Sequence, residues 1–144
     1  MFNYVIDTNI VMGMLISGKS QYLKLLSYFD FIFPQYLLTE LDEYKNLIRE
    51  KTKLDEKQFQ KYAYSIFSLM TVIPSIILTK NSIELAKKKC EPIDIKDISF
   101  VALSIETGLT LLTRDEKLCK GLKRQGFRNV KLFEDFLTDI YEMK

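Results

Sequence analysis

The sequence contains no histidine and no tryptophan, and it has only two cysteines, three prolines and five glycines among 144 residues. Without imidazole, Ser-His-Asp and Cys-His pairs, histidine acid–base pairs and histidine-ligated zinc are excluded. Any catalysis must then use carboxylates, amines, hydroxyls or a metal. Cys90 and Cys119 lie far apart with no C-x-x-C spacing. That is the pattern of structural thiols in a reducing compartment rather than of a disulfide scaffold. No segment approaches the ~18 consecutive apolar residues of a membrane span. The start, Met1 to Asp7, lacks the basic region and apolar run of a signal peptide. A soluble, cytoplasmic protein with no membrane partner is expected. Internal repeats, low-complexity stretches and Pro/Gly-rich linkers are also missing, so residues 1–144 read as a single domain.

What is present supports one core. With 47% hydrophobic residues, a chain of this length buries about 68–70% of the surface it exposes when unfolded. Short runs rich in valine, isoleucine and phenylalanine alternate with segments of helical period, which predicts an α/β fold with a parallel sheet. The strands are expected at 2–6, 31–33, weakly within 72–78 around Pro74, 109–112 and 129–132. Helices are expected at 21–29, 36–49, 56–70, 81–89, 97–106, 116–125 and 134–141. In the third of these, Phe59, Tyr62, Ala63, Ile66, Phe67 and Met70 form a stripe at i, i+3, i+4 spacing, which reads as core packing rather than a ligand groove.

The informative residues are acids. Asp7 follows the apolar run Tyr4-Val5-Ile6, and Asp115 closes Leu109 to Arg114 in the same way. In open parallel sheets, ligands bind at that edge. Both aspartates also precede helical patterns, so helix capping is an equal reading. At about 100° per residue, setting Leu37 to zero places Glu40 at about −60°, inside the arc of Leu37, Leu41, Tyr44, Leu47 and Ile48, whereas Asp42 and Glu43 fall outside it. Asp97 begins a strongly apolar helical segment, and Asp94 lies one turn earlier on a neighbouring part of the same face. An N-cap and first-turn pair would account for these two residues as well.

The combination requires a counter-charge. A buried, unpaired carboxylate costs several kcal/mol or is driven to protonate. Two of them about 4 Å apart repel by roughly 4 kcal/mol at an effective dielectric of about 20. No histidine can compensate, and no lysine or arginine recurs beside each acid. Magnesium or manganese would, because hard oxygen donors suit them.

Val5-Ile6-Asp7-Thr8-Asn9, Thr39-Glu40-Leu41, the run from Asp94 through Asp97 to Leu103, and Leu112-Thr113-Arg114-Asp115 resemble the acidic motifs of PIN-domain ribonucleases, in the family's order across nearly the whole chain. The family includes the VapC-type toxins of toxin-antitoxin systems. The resemblance implies a central parallel sheet flanked by helices on both faces, and cleavage of RNA with Mg²⁺ or Mn²⁺ to 5′-phosphate and 3′-hydroxyl ends. It implies that Asp7, Glu40, Asp97 and Asp115 are catalytic metal-site acids, with Asp94 as a further acid found in part of the family. Asn9 and Thr113 match short polar positions and are expected to orient Asp7 and a site water. The stretch between Glu40 and Asp94 carries no family motif, a departure from the best-known toxin pattern.

Between Glu116 and Glu134, the basic residues Lys117, Lys120, Lys123, Arg124, Arg128 and Lys131 occur with no acid among them. They read either as phosphate-neutralising groups or as a solvated helix face. Arg114 is placed to touch a phosphate or to pair locally with Asp115, while Lys87-Lys88-Lys89 reads as a helix C-terminus. Apolar residues such as Phe59, Tyr62, Phe67 and Met70 look excessive for one core. That surplus, with the resemblance, suggests a homodimer, and a toxin would have an antitoxin partner. Two other readings stand beside the nuclease. A dehalogenase-type phosphohydrolase would need an aspartate where Asn9 stands, and a catalytically silent PIN-like module would bind RNA or protein without a metal.

Overall fold

The computed structural model describes residues 2–142, the side chain of Ile95 excepted. Five strands, β1 (Tyr4–Ile6), β2 (Phe31–Pro34), β3 (Met70–Ile73), β4 (Thr110–Thr113) and β5 (Val130–Leu132), form one sheet in the order β3-β2-β1-β4-β5. Every neighbouring pair is parallel. Nine α-helices are found among the described residues: α1 (Thr8–Ser17), α2 (Ser20–Tyr28), α3 (Tyr36–Glu43), α4 (Lys45–Lys51), α5 (Glu56–Ser68), α6 (Lys80–Cys90), α7 (Ile98–Thr107), α8 (Glu116–Arg124) and α9 (Phe133–Glu142).

Helices cover both faces of the sheet. Consecutive rather than alternate strand residues are buried: Val5 and Ile6, all of β2, and Leu111 to Thr113. That is the signature of a parallel sheet sandwiched between helices. Phe31, Phe100 and Phe133 are fully buried, each such side chain contributing about 1.5–3 kcal/mol over its exposed state. Helices α1 and α7 both stop where the chain turns left-handed, at Gly18 (φ 64°) and Gly108 (φ 73°), a conformation glycine adopts without strain.

Four expectations change. The helix expected over 36–49 breaks at Tyr44 into α3 and α4. The redirection packs Ile48 into the core against α1 and leaves Tyr44 and Leu47 exposed, so a single helical wheel does not hold across the break. Met70 does not end a helix; it opens β3, paired with Phe31, and that strand starts two residues before the expected 72–78 stretch and ends at Ile73, ahead of the interrupting Pro74. A 3₁₀ turn at Ser75–Ile77 follows. Helix α1, for which the sequence suggested only a helical pattern after Asp7, spans ten residues. The apolar stripe of α5 is not surplus to the core. Tyr62 and Ile66 are buried, and Phe59, Ala63 and Phe67 pack against the same cluster, so this stripe gives no argument for a dimer. Other boundaries shift by one or two residues.

The strand order reverses between β1 and β4, because β2 and β3 lie on one side of β1 and β4 and β5 on the other. At such a switch point the connections leave in opposite directions and open a crevice beyond the strand ends. The register Ile6↔Leu112 brings Asp7 and Thr113 together at that crevice.

Candidate active site

Asp7 is placed by backbone and side chain together. Its amide donates to Leu112 O at 3.0 Å. Its Oδ1 accepts from the Thr8 amide at 2.8 Å, and its Oδ2 accepts from the Thr113 hydroxyl at 2.7 Å. Asp7 thus caps α1 while its carboxylate stays in the crevice, only 5% exposed. Burial pushes its pKa up to about 6. The Thr113 and Thr8 hydrogen bonds work against that rise, and the charges of Glu40 and Asp115 add to it.

Glu40, half-buried on α3, accepts a hydrogen bond of 2.6 Å from Thr8 Oγ1. Burial raises its pKa, against the lowering effect of that hydroxyl. Thr8 therefore serves two acids, with its amide on Asp7 and its hydroxyl on Glu40. The sequence reading passed over Thr8 although it stands inside the Asp-Thr-Asn motif. Asn9 Nδ2 reaches Thr113 Oγ1 at 3.5 Å, and its Oδ1 accepts from the Arg114 amide at 3.3 Å.

The capping readings separate here. Asp115 caps α8 through Oδ1 to the Leu118 amide at 3.0 Å and is exposed. Asp94, also exposed, holds a local turn by accepting from the Lys96 amide at 2.9 Å. Asp97 stands at the N-cap position of α7 and makes no capping hydrogen bond. Its pKa is driven up to about 8, first by burial and then by the charges of Asp7, Asp94, Asp115 and Glu40. The same acids reach other groups: burial pushes the Cys90 thiol up to about 12, with Asp97 and Asp94 adding to it.

Donor chemistry and geometry bear differently on a metal. Five oxygen acids share one field, and the most strongly shifted of them has neither a hydrogen-bond donor nor a cation against it among the described residues, which is the chemistry a hard divalent cation relieves. The arrangement is nevertheless not closed. Among the described residues, no three His, Cys, Asp or Glu side chains are grouped so as to hold a metal ion. Lys96 is felt inside the cluster, where its charge favours ionised Glu40.

The basic residues divide. Lys117, Lys120, Lys123 and Arg124 are exposed on α8, directly after Asp115. Arg114 does not pair with Asp115: it lies over the Phe133 ring, with its Nε 3.7 Å from Glu134. Lys131 is paired with Asp139 of α9. Lys89 donates to Gln125 O at 2.8 Å, so it complements the end of α8 rather than only its own helix. Two grooves of about 850 and 620 Å³, the first beside α5 and the second between α2 and α9, are lined by none of Asp7, Glu40, Asp94, Asp97 and Asp115.

Fold and site together define a doubly wound α/β domain with a carboxylate cluster at its topological switch point. The chain belongs to the PIN domain family, whose model matches residues 5–134. Among solved structures, it is similar to PAE2754 from Pyrobaculum aerophilum, with a TM-score of 0.69 and 14% identity over 98% of this chain and 90% of that one. It is also similar to a chain of VapBC2 from Rickettsia felis, solved bound to a DNA fragment from its promoter, with a TM-score of 0.56 and 18% identity over 91% and 97% of the two chains. At these identities the likeness is one of fold. No curated protein matches the sequence. No helix among the described residues is long and apolar enough to cross a membrane.

Proposed function

We propose that this chain is a divalent-metal-dependent endoribonuclease, with Asp7, Glu40, Asp97 and Asp115 as its catalytic acids and Asp94 as an outer acid. The observation that carries the reading is Asp97, a carboxylate raised by burial and then by four neighbouring acids, which makes no capping hydrogen bond at the head of α7. Magnesium or manganese, when bound, would neutralise the acids and the scissile phosphate and acidify a water for in-line attack. The chain's own residues supply the frame. Thr113 and the Thr8 amide hold both oxygens of Asp7, and the Thr8 hydroxyl turns Glu40 toward the same crevice. Asn9 ties the end of β4 to the start of α1. Lys117, Lys120, Lys123 and Arg124 would neutralise phosphates of the strand beside Asp115.

The likeness to a VapBC2 chain supports a toxin role, with an antitoxin as protein partner. The buried, unpaired thiols Cys90 and Cys119 suit a reducing cytoplasm. One observation favours the catalytically silent alternative: the acids are not grouped around a single position. Incubating RNAs with the protein and excess Mn²⁺ decides between them. The nuclease cuts, and Asp97→Asn does not. Equal cutting by both, or cutting by neither with no Mn²⁺ binding in calorimetry, would overturn the proposal.

A further inference from the structure

The geometry points to Arg114 as a positioning residue that pins the turn between β4 and α8, and with it Asp115. This inference rests on the nuclease reading above. Although the Arg114 side chain is 31% exposed, its guanidinium is held among three other elements. Its Nη2 donates to the Tyr22 hydroxyl of α2 at 3.3 Å, its Cζ lies 5.2 Å from the centroid of the Phe133 ring, and its Nε is buried without a hydrogen bond, 3.7 Å from Glu134 of α9. The third wall is α1. A Cβ added at Gly13 would collide with Nη1. Gly13 is inside a helix, where glycine is disfavoured relative to alanine, and its φ is not positive, so its backbone does not call for glycine. Its missing side chain is the space the guanidinium fills.

The pin reaches the acids through the backbone. The Arg114 amide donates to Asn9, and the next amide, that of Asp115, donates to Thr113 Oγ1 at 3.1 Å, the same hydroxyl that donates to Asp7 Oδ2. Release of the guanidinium therefore loosens the short segment that sets Asp115 relative to Asp7.

The full chain carrying Arg114→Gln, Gly13→Ala, or both tests this. With RNA and excess Mn²⁺, each single change is expected to lower kcat about ten- to a hundredfold, as small misplacements of catalytic groups do, with KM within about twofold. The double variant should be no worse than either single one, because one change removes the guanidinium and the other displaces it from the same niche. Arg114→Lys should not rescue, since an ammonium cannot stack on Phe133 and reach Tyr22 as a planar fork does. In the metal-free protein, the Leu118 amide, which donates to Asp115, should exchange with solvent about tenfold faster in each variant while amides of α5 keep their protection. A raised KM with unchanged kcat, and a salt dependence of RNA binding reduced by about 0.7 in slope, would make Arg114 a phosphate ligand instead. Losses that multiply in the double variant, or unchanged Leu118 exchange, would also overturn the pin. Should wild type and Asp97→Asn cut equally, the nuclease reading falls and the Leu118 exchange alone decides the pin.

Discussion

The Thr8 hydroxyl donates to Glu40 Oε1 at 2.6 Å, joining the first turn of α1 to α3 across 32 positions of sequence. Thr8 is itself buried. Replacing it by valine keeps the shape and the amide that holds Asp7 but removes the hydroxyl. A hydrogen bond to a charged group contributes about 1.5–3 kcal/mol. Glu40 is half-buried and water can take the vacated place, so a loss at or below the bottom of that range is expected in urea unfolding. RNA cleavage should fall more steeply than stability, because Glu40 is released from its rotamer. Unchanged kcat in Thr8→Val would remove Glu40 from the catalytic set.

Thr113 is the junction of the crevice. It is fully buried, donates to Asp7, and accepts from the Asp115 amide and from Asn9. In Thr113→Val both Asp7 Oδ2 and the Asp115 amide lose their partner; the buried Asp7 oxygen left unsatisfied costs about 1–3 kcal/mol, while the amide of exposed Asp115 can turn to water. Thr113→Ser should retain most of the stability and activity. Thermal melts of the two variants in parallel give the comparison, and equal melting temperatures would mean that the hydroxyl is idle.

Acidity has a definite sign in this site. Asp7 and Asp97 stand at about 6 and about 8 against an ordinary 3.8. The folded chain therefore holds protons that the unfolded chain releases, and stability falls as pH rises from about 4 to about 8. In chelator, the melting temperature should drop across that window, and in Asp97→Asn the part of the drop above about pH 6 should vanish. Added Mn²⁺ should raise the melting temperature most at the alkaline end, where both acids are ionised. A melting temperature that climbs with pH in chelator would contradict the assignment.

The exposed cations of α8 should act on RNA binding without touching the fold. Lys120→Ala and Arg124→Ala are each expected to leave melting unchanged within about 0.5 kcal/mol. In an Asp97→Asn background that binds without cutting, each should reduce the salt slope of RNA affinity by about 0.7. Filter binding across a salt series measures this, and slopes equal to that of the parent would return α8 to a plain solvated face.

The sequence by itself determined the α/β class, five strands close to their observed places, and the acids worth attention. Each of these depends on local information: apolar runs that end in an aspartate, and a helical period that puts Glu40 among leucines. Tertiary structure decided what those residues do. Asp7 meets Thr113 across 106 positions of sequence, and only the parallel register of β1 and β4 brings them together. Of the acids that sequence marked as helix caps, Asp7 and Asp115 do cap, while Asp97 is the one left uncapped among its neighbours' charges. Arg114, next to Asp115 in sequence, turns instead to Gly13, Tyr22 and Phe133, because those three converge only when α1, α2 and α9 pack together. Local spacing dictates which face a residue occupies. Which partner waits on that face is set by contacts between segments distant in the chain, and no periodicity encodes these.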